Sequence, residues 1–152
     1  MGATTAAAFD PKPKYLGEVI TCLATAEILA GQWVSYDATG VSRYVSPGTS
    51  SLGSPVGVAL HTQSTVGGPV AVASNGSVVL SYVDQDDGTA DAGDYMAISA
   101  VAGFVKVMDG AVAAHNSEGA GIFPCGQILE DLAATEKKYV RVLTGPIWTA
   151  QS

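Results

Sequence analysis

Positive charge is scarce in this 152-residue chain: seven Lys and Arg stand against fourteen Asp and Glu, a formal net charge of −7. Phosphate backbones are held by clustered basic side chains, and the one adjacent pair here is Lys137-Lys138, so nucleic acid is excluded as a partner. Charge of either sign is low, 14% of residues against about 25% in ordinary globular domains. Histidine is limited to His61 and His115, which leaves little for a metal site or a histidine-supported nucleophile. The two cysteines, Cys22 and Cys125, have no metal-type spacing; one disulfide is open to them, and two buried thiols is the favoured reading of their apolar contexts. Leu and Ile are few, nine and six, so leucine-striped amphipathic helices are missing. No apolar run reaches the ~18 residues needed to cross a bilayer. The first residues, MGATTA, offer no basic stretch followed by an apolar one, and Ala6 stands where myristoylation asks for Ser or Thr. The expectation is a soluble protein made in a cytoplasm, with no membrane partner.

What the sequence has in quantity is small and β-branched residues: 23 Ala, 18 Val, 18 Gly, 13 Ser and 12 Thr. Mean hydropathy is +0.28, too apolar for a disordered chain. Short alternating or apolar runs bounded by turn residues predict ten strands, at 18–24, 32–36, 41–45, 55–60, 69–73, 77–83, 94–98, 103–108, 123–129 and 139–143. Asn75-Gly76, Asp87-Gly88 and Asp109-Gly110 are turn signals, since these residues accept positive φ. The expected fold is all-β, a small antiparallel barrel, β-tulip or sandwich with little helix. The best helical candidate is 130–138, EDLAATEKK, acids first and lysines last as the helix dipole prefers; a weaker turn is placed at 24–29. Residues 1–14 read as an extended or flexible arm because Pro11 and Pro13 forbid helix, 15–147 as one β-rich domain, and 148–152 as a tail.

The sequence also echoes itself. Ala30-Gly31-Gln32-Trp33-Val34-Ser35 resembles Ala92-Gly93-Asp94-Tyr95-Met96-Ala97, and Gly57-Val58-Ala59-Leu60 resembles Gly126-Gln127-Ile128-Leu129. A third echo sets Val70-Ala71-Val72 beside Val140-Arg141-Val142. Either a β-unit has been duplicated or a common strand entry recurs.

Residues that could carry chemistry are thin. There is no Gly-x-Ser-x-Gly elbow and no phosphate-cradling glycine loop, so no catalytic residue and no cofactor are expected. The acidic stretch 84–94 supplies oxygen ligands, with Asp84, Asp86 and Asp87 as weak calcium candidates; the EF-hand spacing fails, because glycine comes at the fifth position and no Glu at the twelfth. Phe9, Pro11, Pro13, Tyr15 and Trp148 lie outside or at the margin of the strand-rich region. A large aromatic there anchors into a partner or folds back on its own barrel. Trp33, Tyr36, Asp37 and Tyr44 form a second candidate group, of the kind a carbohydrate- or receptor-binding module of a phage tail or cell surface presents.

Seven short motifs, at 17–19, 30–34 (AGQWV), 55–60 (PVGVAL), 68–76, 92–96 (AGDYM), 126–129 (GQIL) and 140–143 (VRVL), together resemble the capsid decoration, or cement, proteins of tailed phages. The longer acidic turn at 84–94 and the insertion at 130–138 depart from that pattern. The resemblance implies a small β-barrel or β-tulip, assembled as a homotrimer on the outer surface of the virion head. Its partners would be the major capsid protein and adjacent decoration subunits, and it implies no catalytic residues.

Overall fold

The structure is a computed structural model, and it describes residues 8–36, 44–48, 55–84, 90–99, 101–107, 124–132 and 136–143. Five strands form a first closed barrel: β1 (Val19–Ala24), β2 (Trp33–Tyr36), β3 (Tyr44–Pro47), β4 (Pro55–Ala59) and β5 (Pro69–Ala73), in the order β1-β3-β2-β4-β5. Five more form a second: β6 (Val78–Asp84), β7 (Tyr95–Ile98), β8 (Val105–Val107), β9 (Gly126–Ile128) and β10 (Glu136–Val142), in the order β10-β6-β8-β7-β9.

The two barrels are one design used twice. β1 pairs in parallel with β3, as β6 does with β8, and every other neighbour is antiparallel in both. The registers correspond as well. Trp33↔Val58 and Val34↔Gly57 in barrel 1 match Tyr95↔Gln127 and Met96↔Gly126 in barrel 2. Ala59↔Val72 matches Ile128↔Val140, and Ala24↔Val45 matches Val83↔Val105. The two longer sequence echoes therefore mark structural equivalence. The third is displaced by two residues, because Val140 is the counterpart of Val72, not of Val70.

Each barrel closes around side chains that alternate inward. Cys22, Ala24, Val34, Val45, Ala59, Val70 and Val72 fill barrel 1; Val79, Val83, Met96, Val105, Val107, Ile128, Val140 and Val142 fill barrel 2. Strand alternation makes this possible, since residues of one parity share a face. In barrel 1 both parities are buried at one place. Trp33, Val58 and Ala73 point out of their own barrel and belong to the core of the other. The seam is closed by backbone bonds, with Trp33 N donating to Gly103 O at 3.0 Å and Gly103 N to Gly48 O at 2.9 Å.

Three expectations are corrected. Among the described residues of 130–138 there is no helix: Leu132 bridges Ala90, and 136–138 begin β10, which runs antiparallel to β6 from Glu136↔Val83 to Arg141↔Val78. A two-turn helix is marginal in water, whereas this ladder satisfies the backbone along a whole strand. The weak helical turn at 24–29 is a bend followed by a bridge, Ile28↔Gln63. The all-β barrel architecture expected from the sequence is observed, but the pairing is mixed rather than antiparallel throughout, because β3 and β8 are each inserted in parallel beside the first strand of their repeat. Cys22 and Cys125 form no disulfide among the described residues and are buried, one in each barrel core, and burial pushes the Cys125 thiol pKa upward.

Candidate interaction surface

The N-terminal arm has a seat on its own chain. β6 meets β8 only at Val83 and Asp84, which leaves the first half of that β6 edge free of strand partners. Residues 11–15 fill it. Leu80 N donates to Pro11 O at 2.7 Å, Lys14 N to Val78 O at 2.9 Å and Val78 N to Tyr15 O at 2.8 Å. Proline suits a strand added at an edge, where its missing N–H can face away from the ladder. Pro11 is buried, while Pro13 and Tyr15 are exposed.

Phe9 ties the barrels together. Its backbone N donates to Ala30 O in barrel 1 at 3.2 Å, and its ring meets Tyr82 of barrel 2 edge-on at 4.9 Å. Tyr82 in turn stacks on the buried Phe104 at 4.8 Å. Gly31 lies under the Phe9 ring at φ 92°, and a Cβ there would collide with it. Lys137 Nζ stands 4.8 Å from the Phe9 ring centre, and Lys14 Nζ 4.4 Å from that of Tyr139, both in cation–π range. Within the chain Phe9 thus lies back on its own barrels. Trp148 lies outside the described residues.

The other candidates separate. Asp84 accepts the Ser99 hydroxyl at 2.9 Å, and Asp86 and Asp87 lie outside the described residues. Trp33 is wholly buried in the seam, its indole Nε1 without an acceptor among the described residues, so it cannot join Tyr36 and Tyr44 in an exposed sugar-stacking cluster; Asp37 lies outside the described residues. His61 is occupied structurally: Ala71 N donates to its Nε2 at 3.0 Å, which makes Nδ1 the donor toward Thr62 O at 3.2 Å.

A row that sequence reasoning missed runs across the outside of barrel 2. Tyr95, Gln127 and Arg141 face outward on β7, β9 and β10, and Tyr95 is 52% exposed. The available signal was the Trp33/Tyr95 echo, which sets an aromatic at one position in both repeats.

No family model and no curated protein matches the chain. Its fold is similar to that of the head fiber gp8.5 N base of bacteriophage phi29. The TM-score is 0.53 at 12% identity, over 82% of this chain and 92% of the gp8.5 N base. Neither barrel alone spans that share of the chain, so the likeness to the gp8.5 N base takes in parts of both. At this identity it is a likeness of fold.

Proposed function

We propose that this chain is a structural protein of a phage virion, which binds the outside of the expanded head shell as a homotrimer and stabilises it. The observation that carries the reading is the fold shared with a phage head fiber base over most of both chains. The short motifs that resemble decoration proteins point the same way, as does a surface poor in charge that suits contact with other subunits. The mechanism is linkage. A protein that binds only the expanded shell lowers the free energy of that state, and several sites on one oligomer add avidity.

Co-sedimentation with heads of the encoding virus tests this directly. Saturable binding to expanded heads, little to unexpanded procapsids, and a higher disruption temperature for decorated heads are expected. Absence of binding to either form overturns the proposal.

A further inference from the structure

Equivalent surfaces of the two barrels sit in unequal surroundings. On barrel 1 the outward row Trp33, Val58 and Ala73 crosses β2, β4 and β5 and is covered by barrel 2. The same register on barrel 2 sets Tyr95, Gln127 and Arg141 in one row across β7, β9 and β10, and no described element covers it. It continues through Val78 of β6 to Tyr15, 63% exposed, across the bridge that seats the arm. The glycines at the two rows differ in the same sense: Gly31 lies under the Phe9 ring, while a Cβ at its counterpart Gly93 would meet nothing within 4 Å.

We propose that the Tyr95–Gln127–Arg141 row is the seat for a second copy of this chain, whose first barrel docks there as the second barrel docks on the Trp33 row within one chain. The occupant follows from the molecule itself, since a barrel of the same strand order and register already covers the equivalent row. Composition fits an interface that is wet before assembly. A row covered in every folded chain holds Trp, Val and Ala; one that must stay soluble until a partner arrives holds Tyr, Gln and Arg, and Tyr and Arg are enriched where interfaces concentrate their energy. Within the chain, barrel 2 brings Ile98 to the seam, its Cδ1 3.3 Å from where a Gly48 Cβ would stand. Its counterpart on the docking barrel is Tyr36, 38% exposed. Two different faces meet, so the contact is heterologous and closes into a ring or extends as a filament according to its rotation. The proposal rests on the oligomeric part of the function above and adds which faces touch.

Light scattering on the full chain, with two interface variants and a control, tests it. The parent is expected as an oligomer. Tyr95→Ala/Arg141→Glu and, separately, Tyr36→Asp should each run at the mass of one chain with unchanged circular dichroism, while Val66→Glu on the exposed β4–β5 hairpin keeps the parent mass. Mixing the two interface variants should restore a dimer, because each retains the face the other lacks. A parent of one-chain mass overturns the oligomeric reading itself. An oligomer that survives both variants, or a mixture that stays monomeric, overturns the seat and leaves the oligomer standing. If the double variant melts early, Arg141→Glu alone, on an exposed side chain, supplies the same comparison.

Discussion

Gly57 and Gly126 occupy equivalent positions, and neither site has room for a side chain. At Gly57, φ is 155° and a Cβ would run into the carbonyl oxygen of Ala73; at Gly126 it would come within 2.7 Å of Val140 Cγ1 and 3.2 Å of the Trp33 ring. The glycines let β4 and β9 approach the strands beside them, which is why the Gly-x-x-Leu echo survives in two otherwise diverged repeats. Replacing Gly57 by Ala should cost about 2–4 kcal/mol, the sum of backbone strain and overpacking. Urea unfolding would measure it, and a loss below about 0.5 kcal/mol, the ordinary scatter of surface substitutions, would refute the account.

For the elements, the arm is the informative case. Its ladder with β6 and its aromatic contact with Tyr82 make residues 9–15 part of the folded unit. Phe9→Ala should therefore lower stability by about 1–3 kcal/mol, less than a fully buried Phe because the residue is only partly buried. Thermal melts of F9A beside a chain lacking only residues 1–7 would separate the strap from what precedes it, and equal melting of F9A and the parent would count against a strap. The proline pattern made an extended arm legible, yet its seat depends on a gap in strand pairing that alternation alone does not display. The second half of β10 was legible as the strand at 139–143, and only its start was hidden, for a related reason. Glu136, Lys137 and Lys138 read as the end of an amphipathic helix, and only the facing β6 turns them into strand. The duplication was legible in residues 30–35 and 92–97, whereas Val-x-Val fits its partner equally well when slipped by two, which preserves the inward face.

At the scale of the whole molecule, the shared core governs cooperativity. Trp33 leaves its own barrel to fill the other, so loosening either barrel exposes it. Calorimetry of the parent should show one transition. Trp33→Ala should cost about 3–5 kcal/mol and split the transition into two, as each barrel then unfolds on its own core. A single, merely shifted transition would show that the barrels are coupled elsewhere.

The strap also sets an order of events during synthesis. Phe9 leaves the ribosome early, but Tyr82 and the β6 edge that receive it come later, and Lys137 later still. Until barrel 2 is complete, barrel 1 holds an uncovered patch of Trp33, Val58 and Ala73 beside an arm with nowhere to lie. Closing the arm is thus among the last steps, and the interval before it is when the nascent chain is most exposed to aggregation.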